Sequence, residues 1–390
     1  MVKGQQKGEN KIKINSMKIT RSSKCSLKFS TDNKLRQLRT TLSEYGRVVN
    51  IFTDYFWALD ELPSKSKLLK PIVDIPLNAD NPSWLSARLR KVAAREALDM
   101  ILASQRRWKD NPKKLKKPIH KGKRMNVSCT IADLIPAQNA TEFDCWLHLA
   151  SIGNKMILDL PIKLHKQFNK WNELGKRLNA YIITDRYVQF SFEIETETKR
   201  DGKKVVGIDT GINALASSSS GEQYGTEIKD LIERVKRCKY GSKGQKKARR
   251  ALKQRIDEIA IEVISSENPD LIVVEQLKNM GHKSKVKRLL TKNIRRSIGI
   301  WNWRYWLMRI EQQCELNRVS FRTVSPYYTS QTCPSCNHVD RKNRNGIEFK
   351  CQSCGHTDNA DVNAALNIMN RFILGKYGSQ YKQENLRSFT

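Results

Sequence analysis

The sequence predicts an α/β protein in which a small β-barrel, interrupted by a helical lobe, precedes an α/β domain with an inserted cysteine-rich segment. Three patterns predict this arrangement. Apolar residues recur at steps of three and four over residues 31–59, as on a helix face, but alternate with polar residues in 17–30 and 125–196, as in strands. Beyond residue 203, short apolar runs alternate with helical segments. A chain of 390 residues is long enough for two or three domains with separate cores.

The first half of the chain is predicted to hold two domains, one inserted in the other. Residues 1–16 are basic but lack the apolar stretch of a secretory signal, so we expect a disordered arm. Residues 17–30 and 119–200 are expected to form the barrel, with "YVQFSFEIET" as its clearest strand. Residues 31–118 are expected to form the helical lobe, in which a long helix is followed by a second at about 83–108.

The second half is predicted to be one interrupted α/β domain. It comprises residues 203–327 and 358–375, and its buried strands include the runs "VVGID" and "LIVVE". The interrupting segment covers residues 328–357, and residues 376–390 form a tail. The domain therefore resumes directly after the cysteine-rich segment.

The aromatic run "WNWRYW" lies in a predicted helix of the second half. Such residues can stack on nucleic acid bases. However, Trp301, Tyr305 and Met308 recur at helical spacing, which favours packing in the core. We therefore expect these three side chains to be buried.

Charge gives the first indication of function. Lys and Arg together number 72 and Asp and Glu 39, so the formal net charge is +33, far more than solubility requires. Such an excess repels itself unless a polyanion neutralises it, so we expect a nucleic acid partner. A ribosomal or chromatin protein would carry a similar charge, and charge alone therefore indicates no activity.

Cysteine usage and hydropathy indicate the compartment. The nine cysteines are an odd number, and the N-terminus does not read as an export signal, which favours a reducing cytosol over a disulfide framework. No apolar run approaches the ~20 residues of a membrane span. We therefore expect a cytoplasmic protein that has no membrane partner.

Three basic segments are predicted to contact a nucleic acid backbone. Residues 113–124 carry seven basic residues and no acid, residues 231–255 carry eleven and one acid, and the third segment covers 283–296. A single charge run is usually a solvated surface, so the prediction concerns the segments together; the affinity should fall steeply with salt. The residues assigned to these contacts are Lys113, Lys114, Lys116, Lys117, Arg124, Lys236, Arg237, Lys246, Lys247, Arg249, Arg250, Arg295 and Arg296.

Two Cys-x-x-Cys pairs predict a metal knuckle. Two residues separate the cysteines of each pair, and fourteen residues separate the pairs. Two tight bends of this kind can complete a tetrahedral cage of four sulfurs for Zn²⁺. Four thiolates leave no position open for water, so one structural zinc is expected, with His338 and His356 on the knuckle surface. The predicted ligands are Cys333, Cys336, Cys351 and Cys354.

Three acids predict a second kind of metal site. Asp209 ends the run "VVGID", Glu275 ends the run "LIVVE", and Asp361 opens the helical stretch "ADVNAALNIMNRF". One acid at a strand end is usually structural, but several converging buried carboxylates need cations to hold them. Mg²⁺ prefers carboxylate and phosphate oxygens, and two such ions can support phosphodiester cleavage. Asp358 is an alternative ligand, although we expect it to cap the turn.

Five segments resemble a known family. "GIDTGINALA", "IVVEQLKNM", "YYTSQTCPSCN", "FKCQSCG" and "NADVNAALNI" are similar to the RuvC-like and zinc-ribbon motifs of TnpB, the transposon-encoded RNA-guided nuclease, and of its descendants, the compact type V CRISPR effectors. The resemblance covers roughly residues 203–375 and implies an RNase H-like (RuvC) nuclease domain with an inserted zinc ribbon. It implies that the three acids are catalytic and that the four paired cysteines bind zinc. The first half matches only in layout, as a wedge-like barrel with an inserted recognition lobe.

The resemblance and the residues together predict an RNA-guided DNA endonuclease that depends on two Mg²⁺ ions. Its partners would be a guide RNA and target double-stranded DNA carrying a short flanking motif. Two alternatives stay open. One is a guide-dependent DNA-binding repressor with an inactive nuclease centre, and the other is a zinc-ribbon transcription factor without RNA, which leaves the acids unexplained.

Overall fold

The computed structural model divides the chain into two compact units, each treated separately below. The N-terminal unit is Lys18–Glu195, and the C-terminal unit combines Met1–Met17 with Thr196–Thr390. The predicted arm and tail lie outside the described residues, as do the side chains of residues 292–295. The structure describes residues 17–67, 74–138, 142–196, 199–200, 202–277 and 291–375.

Two helices that pack against each other form one part of the N-terminal unit. They are α1 (Asp32–Trp57) and α2 (Ala87–Arg107), as the apolar spacing predicted. Each begins after a hydroxyl cap: the Thr31 side chain accepts a hydrogen bond from the Lys34 amide, and the Ser86 side chain accepts one from the Leu89 amide. A third helix, α3 (Lys166–Leu174), is short and was not predicted.

The strands of the N-terminal unit form two sheets. A four-stranded sheet has the order β1-β7-β6-β2, and a three-stranded sheet has the order β3-β4-β5. Strand β3 was not predicted, because its five residues do not alternate strictly between apolar and polar. Closure of these sheets into one barrel stays a prediction. The strands are β1 (Met17–Ser26), β2 (Arg124–Ser128), β3 (Ala132–Pro136), β4 (Cys145–Leu149), β5 (Leu158–Ile162), β6 (Lys176–Thr184) and β7 (Tyr187–Thr196).

The C-terminal unit is built on a five-stranded sheet of order β10-β9-β8-β11-β12. Strands β8, β11 and β12 are parallel, and β9 and β10 are antiparallel additions at one edge. Because β8, β11 and β12 are parallel, their carboxyl ends meet at the same edge of the sheet. The strands are β8 (Val205–Asp209), β9 (Ala216–Ser218), β10 (Gln223–Tyr224), β11 (Leu271–Glu275) and β12 (Ser320–Val324).

Helices cover both faces of this sheet. On one face, Ile208 and Val274 belong to a large buried core with apolar residues of the helices α4 to α7. On the other face, Val273 and Val324 pack against Ile368 of α8. The described helices are α4 (Ile228–Arg237), α5 (Lys243–Glu267), α6 (Lys292–Ile300), α7 (Trp303–Leu316) and α8 (Ala360–Ile373).

The aromatic run is only partly buried as predicted. Trp301 is buried and Tyr305 is half-buried, but Met308 is exposed, so its predicted burial is wrong. The side chain that fills the core is Trp306, which is fully buried and whose Nε1 donates to Thr210 Oγ1 at 3.2 Å. The helix is therefore rotated relative to the face that the predicted spacing selected.

A small three-stranded sheet lies between β12 and α8 in the chain. Strands β13 (Arg344–Asn345), β14 (Glu348–Lys350) and β15 (Thr357–Asn359) are antiparallel neighbours in that order. Phe349 packs in a buried cluster with Ala360, the first residue of α8. The cysteine-rich segment is therefore joined to α8 without an intervening loop.

A helix that crosses a bilayer must be both long and apolar. None of the helices in the described part of the chain has this combination of length and apolar character.

Candidate active site and zinc centre

The sheet brings two of the predicted acids side by side. Asp209 is the last residue of β8 and Glu275 is the last residue of β11. The register pairs Ile208 with Val274, so the acid that follows each of them stands at the same edge. Both acids are half-buried.

The third acid reaches the same place from α8. Asp361 is buried in the first turn of this helix. Its backbone amide donates to Asn359 Oδ1 at 2.9 Å, so Asn359 is the N-cap. Asp358, the predicted cap, instead accepts from the Asn359 amide within β15. Asp361 therefore lies at the positive end of the α8 dipole.

The three acids line one cleft of about 300 Å³. Short polar segments from three parts of the C-terminal unit form its walls. The other lining residues are Thr210, Gly211, Ile212, Asn213, Pro326, Thr329, Ser330 and Arg344. Besides the acids, side-chain oxygens of Thr210, Asn213, Thr329 and Ser330 therefore line the cleft.

The acids of the cleft repel one another. Burial, together with the charges of Glu275 and Asp361, raises the pKa of Asp209 to about 8. Burial also raises the pKa of Glu275, although a hydrogen bond from Thr329 and the charges of two arginines oppose this increase. Carboxylates that face one cleft favour protons or cations. This donor set fits Mg²⁺, which prefers carboxylate oxygens.

Arg344 is a cleft residue that the sequence analysis missed. It belongs to β13, and its guanidinium donates to Asp361 Oδ1 at 2.7 Å. An Arg among many basic residues carries no distinguishing signal in the sequence. Its only clue is its position between the two cysteine pairs.

The segment between β12 and the cysteines is held by polar side chains of α8. Asn367 Nδ2 donates to the carbonyl oxygens of Thr329 and Thr332, at 2.8 and 2.7 Å. Arg371 donates to the carbonyl of Ser325 at 2.5 Å, and Asn363 donates to that of Thr332 at 3.1 Å. These contacts were not predicted, although Asn363, Asn367 and Arg371 are polar residues spaced four apart on an otherwise apolar helix.

The four predicted zinc ligands converge. Their sulfur atoms all lie within 4.8 Å of one another. Two cross-pair distances are given by the structure: 3.6 Å between Cys333 and Cys354, and 3.5 Å between Cys336 and Cys351. A tetrahedral site with zinc–sulfur bonds of ~2.3 Å separates its sulfurs by about 3.8 Å. The residues therefore fit Zn²⁺.

The two cysteine turns share one backbone design. Asn337 and Gly355, each four residues after the first cysteine of its pair, have φ of 61° and 76°. Burial raises the pKa of the Cys351 thiol, but hydrogen bonds from the amides of Cys354 and Ser353 outweigh it and lower the pKa to about 6. Amides that point at sulfur stabilise the thiolate that binds metal.

The predicted nucleic-acid contacts differ in their surroundings. Lys246, Lys247, Arg249 and Arg250 are exposed on α5, and Arg237 is exposed on α4. Lys236 corrects the prediction: only 8% of its side chain is exposed, and its ammonium contacts Glu233 and Ser297, so it is not part of a basic surface. Arg296 donates to the Lys236 carbonyl, and the Arg295 side chain lies outside the described residues.

The first basic segment lies in the N-terminal unit. Lys113, Lys114 and Lys116 are exposed. Lys117 pairs with Asp54 at 2.6 Å. Arg124 pairs with the buried Glu96 at 2.9 Å.

Comparison with known proteins identifies relatives. Residues 303–368 match the family model "Cas12f1-like, TNB domain". Over 209 residues, the chain is 30% identical to a CRISPR-associated endodeoxyribonuclease Cas12f1 of Sulfoacidibacillus thermotolerans, covering 47% of this chain and 49% of that protein. Over 214 residues, it is 27% identical to the putative RNA-guided DNA endonuclease InsQ of Escherichia coli (strain K12), covering 47% and 53%.

The fold is shared more widely than the sequence. The structure of the mini-RNA-guided endonuclease CRISPR-Cas phi3 matches 92% of this chain and 93% of its own, with a TM-score of 0.59 at 10% identity. The chain spans about half the length of the curated relatives it matches. The predicted resemblance is therefore confirmed: the chain carries a Cas12f1-like TNB domain and is a relative of the Cas12f1 and TnpB-like proteins.

Proposed function

We propose that this chain is an RNA-guided DNA endonuclease whose acid cleft hydrolyses a phosphodiester bond of the target DNA. The convergence of Asp209, Glu275 and Asp361 in one cleft is the observation that carries the proposal. The names of the relatives support it, because they are an endodeoxyribonuclease and an RNA-guided DNA endonuclease. In this proposal, residues 203–327 and 358–375 form the RuvC-like nuclease domain, and residues 328–357 form the zinc ribbon.

The three acids would hold two Mg²⁺ ions. When bound, these ions supply positive charge that lowers the pKa of a water and neutralises charge on the leaving oxygen. The acids themselves supply the negative oxygens that position the ions. Because the pKa of Asp209 is raised to about 8, this carboxyl has to release its proton before it can serve as a ligand.

Arg344 would support the reaction from the ribbon side. Its guanidinium contacts Asp361, donates to the carbonyl of Gly346 and lines the cleft. A guanidinium has five donors in a planar fork, which leaves capacity for a phosphate oxygen. The structural zinc would matter to catalysis indirectly, because it fixes the segment that carries Arg344.

The basic surfaces would hold the guide RNA and target DNA. The net charge of +33 and the exposed row of basic residues on α5 support contact with phosphates. In this proposal, the wedge-like barrel and helical lobe of the first half hold the guide and recognise a short flanking motif, while base pairing selects the target. The protein would act in the cytoplasm.

Substitution of Asp209 tests the proposal. We expect Asp209→Ala to abolish Mg²⁺-dependent cleavage of a guide-matched DNA and to leave RNA-dependent DNA binding within about threefold of the wild type, since one charge among the predicted contacts changes little. Cleavage and binding are measured on the same protein–RNA preparations. Thr332→Val, a substitution outside the cleft lining, is the matched control.

Two outcomes would contradict the proposal. Unchanged cleavage by Asp209→Ala would remove the acid cleft from the reaction. Guide-dependent binding by a wild-type protein that cleaves no DNA would favour the repressor alternative.

A further inference from the structure

We propose that Thr329 and Asn367 are positioning residues that fix Glu275 relative to Asp361, an inference that rests on the proposed function of the acid cleft. Neither residue is among the predicted ligands. Thr329 lies between β12 and the first cysteine pair, and Asn367 lies in the middle of α8. Together they connect Glu275 to α8, the helix that carries Asp361.

The first contact joins Thr329 to Glu275. Thr329 is buried, and its hydroxyl donates to Glu275 Oε1. The same hydroxyl also lies 3.3 Å from the Pro326 carbonyl oxygen, so its single proton has two acceptors, of which the Glu275 carboxylate is the nearer. This buried partner therefore orients the Glu275 carboxylate through Oε1.

The second contact joins Thr329 to α8. Asn367 is buried, and its amide nitrogen donates to the Thr329 carbonyl at 2.8 Å. The same nitrogen donates to the Thr332 carbonyl at 2.7 Å, so both of its protons are used. Asn367 thus binds the turn at both ends, through the carbonyls of Thr329 and Thr332.

These contacts place Glu275 and Asp361 on one bonded path. Asp361 and Asn367 are six residues apart on the same helix, which corresponds to about 9 Å at ~1.5 Å per residue. The path runs from Asp361 along α8 to Asn367, then through Thr329 to Glu275. A cation site requires its ligand oxygens to be held within about 0.5 Å, and partners behind the ligands provide this precision.

Thr332 distinguishes positioning from ordinary packing. It lies in the same segment and is 4% exposed, as Thr329 is. Its hydroxyl, however, donates to the Tyr328 carbonyl at 2.7 Å and contacts no acid. Replacing either threonine by valine removes a buried hydroxyl together with its hydrogen bonding, but only the Thr329 hydroxyl contacts a predicted magnesium ligand.

Direct metal binding tests the inference. Mn²⁺ replaces Mg²⁺ at carboxylate sites, and its binding to the protein–RNA complex is measured from the loss of the free Mn²⁺ electron paramagnetic resonance signal. The Asp209→Ala complex gives the contribution of RNA, which is subtracted. We expect Thr329→Val to weaken cleft binding about tenfold or more, Thr329→Ser to stay within about threefold of the wild type, and Thr332→Val to change little.

A double-mutant cycle tests the path itself. Asn367→Ala should weaken Mn²⁺ binding in the same direction as Thr329→Val. If both act through one path, the double variant should bind Mn²⁺ about as weakly as the worse single variant, rather than with multiplied effects. Zinc content and thermal unfolding are measured for each variant, and Thr332→Val provides the reference for a merely structural loss.

The outcomes separate this inference from the proposed function. Equal Mn²⁺ affinities for Thr329→Val and Thr332→Val would overturn the inference. A wild-type complex that binds no more Mn²⁺ than Asp209→Ala would instead overturn the proposed function of the cleft. If the wild-type complex binds Mn²⁺ and cleaves DNA, and Thr329→Val equals it in both, the positioning inference is refuted while the proposed function stands.

Discussion

At the scale of single residues, the main feature of the acid cleft is repulsion between its carboxylates. Burial and the charges of Glu275 and Asp361 raise the pKa of Asp209 to about 8. Only Arg344 donates to Asp361 among the hydrogen bonds that the structure describes for that side chain. A bound cation, as in the proposed function, would offset this repulsion.

This repulsion predicts a pH dependence of stability in magnesium-free buffer. The Asp209 carboxyl has an ordinary pKa of 3.8 and a folded-state pKa of about 8. Between these values the folded state keeps a proton that the unfolded state has released, so the free energy of unfolding falls as pH rises. Asp209→Asn removes this contribution, and its stability should fall less between pH 5 and pH 9.

Urea unfolding at the two pH values checks the prediction. The wild type and Asp209→Asn should differ more at pH 9 than at pH 5, with the variant favoured at the higher pH. Millimolar Mg²⁺ should stabilise the wild type and have little effect on the variant. Parallel pH profiles for the two proteins would contradict the assignment of the raised pKa to Asp209.

At the scale of elements, the distance between β8 and α8 sets the cleft. Gly207 permits their contact: a Cβ at this position would lie 2.2 Å from the Ala365 carbonyl oxygen and 2.8 Å from the Met369 amide nitrogen. These are backbone atoms, so the helix would have to move. Since Asp209 and Asp361 belong to these two elements, the glycine fixes the separation of the acids.

Gly207→Ala should therefore reduce both stability and cleavage. Overpacking of this kind costs ~1–3 kcal/mol, and the displaced helix should carry Asp361 away from the other acids. Gly299→Ala is the matched control, because a Cβ there meets nothing within 4 Å and lies in a helix, where Ala is favoured. Urea unfolding and cleavage rates measure the effects. A fully active and stable Gly207→Ala would show that the contact can relax.

The sequence predicted the acids and cysteines of this site better than the residues that hold them in place. Strand-end acids and paired cysteines can be recognised in a sequence because metal binding needs those residue types at those positions. Thr329 and Arg344 do not, since a hydroxyl or guanidinium acquires its role only from a distant partner. Short elements such as β3 and α3 were missed for a related reason: few residues give a weak periodic signal.

At the scale of the whole molecule, the main feature is a large excess of positive charge. The excess of 72 basic over 39 acidic residues gives +33. In the C-terminal unit, part of this charge is organised on α5, where Lys246 and Arg250 are exposed one turn apart. The sequence predicted the segment but not its individual contacts, because Lys236 in the neighbouring helix is turned into the fold.

Charge reversal on α5 should weaken RNA binding. The double variant Lys246→Glu/Arg250→Glu removes two predicted phosphate contacts, so the slope of log affinity against log salt should fall by about two. Arg341→Glu/Lys342→Glu makes the same change in net charge at exposed positions that belong to no predicted nucleic-acid contact. Filter binding at several salt concentrations measures both. Identical slopes for the two variants would attribute the effect to overall charge.

The junction between the ribbon and α8 has no spare residue. Asn359 is at once the last residue of β15 and the cap of α8, and Ala360 both begins the helix and donates to the Ile347 carbonyl at 2.9 Å. An insertion here would uncap the helix and rotate Asp361 by about 100° for each added residue. The hairpin at Gly346, which has a φ of 63° and open space around it, faces no such constraint. Homologous ribbons should therefore vary in length at that tip and keep the same residue count where they enter the helix.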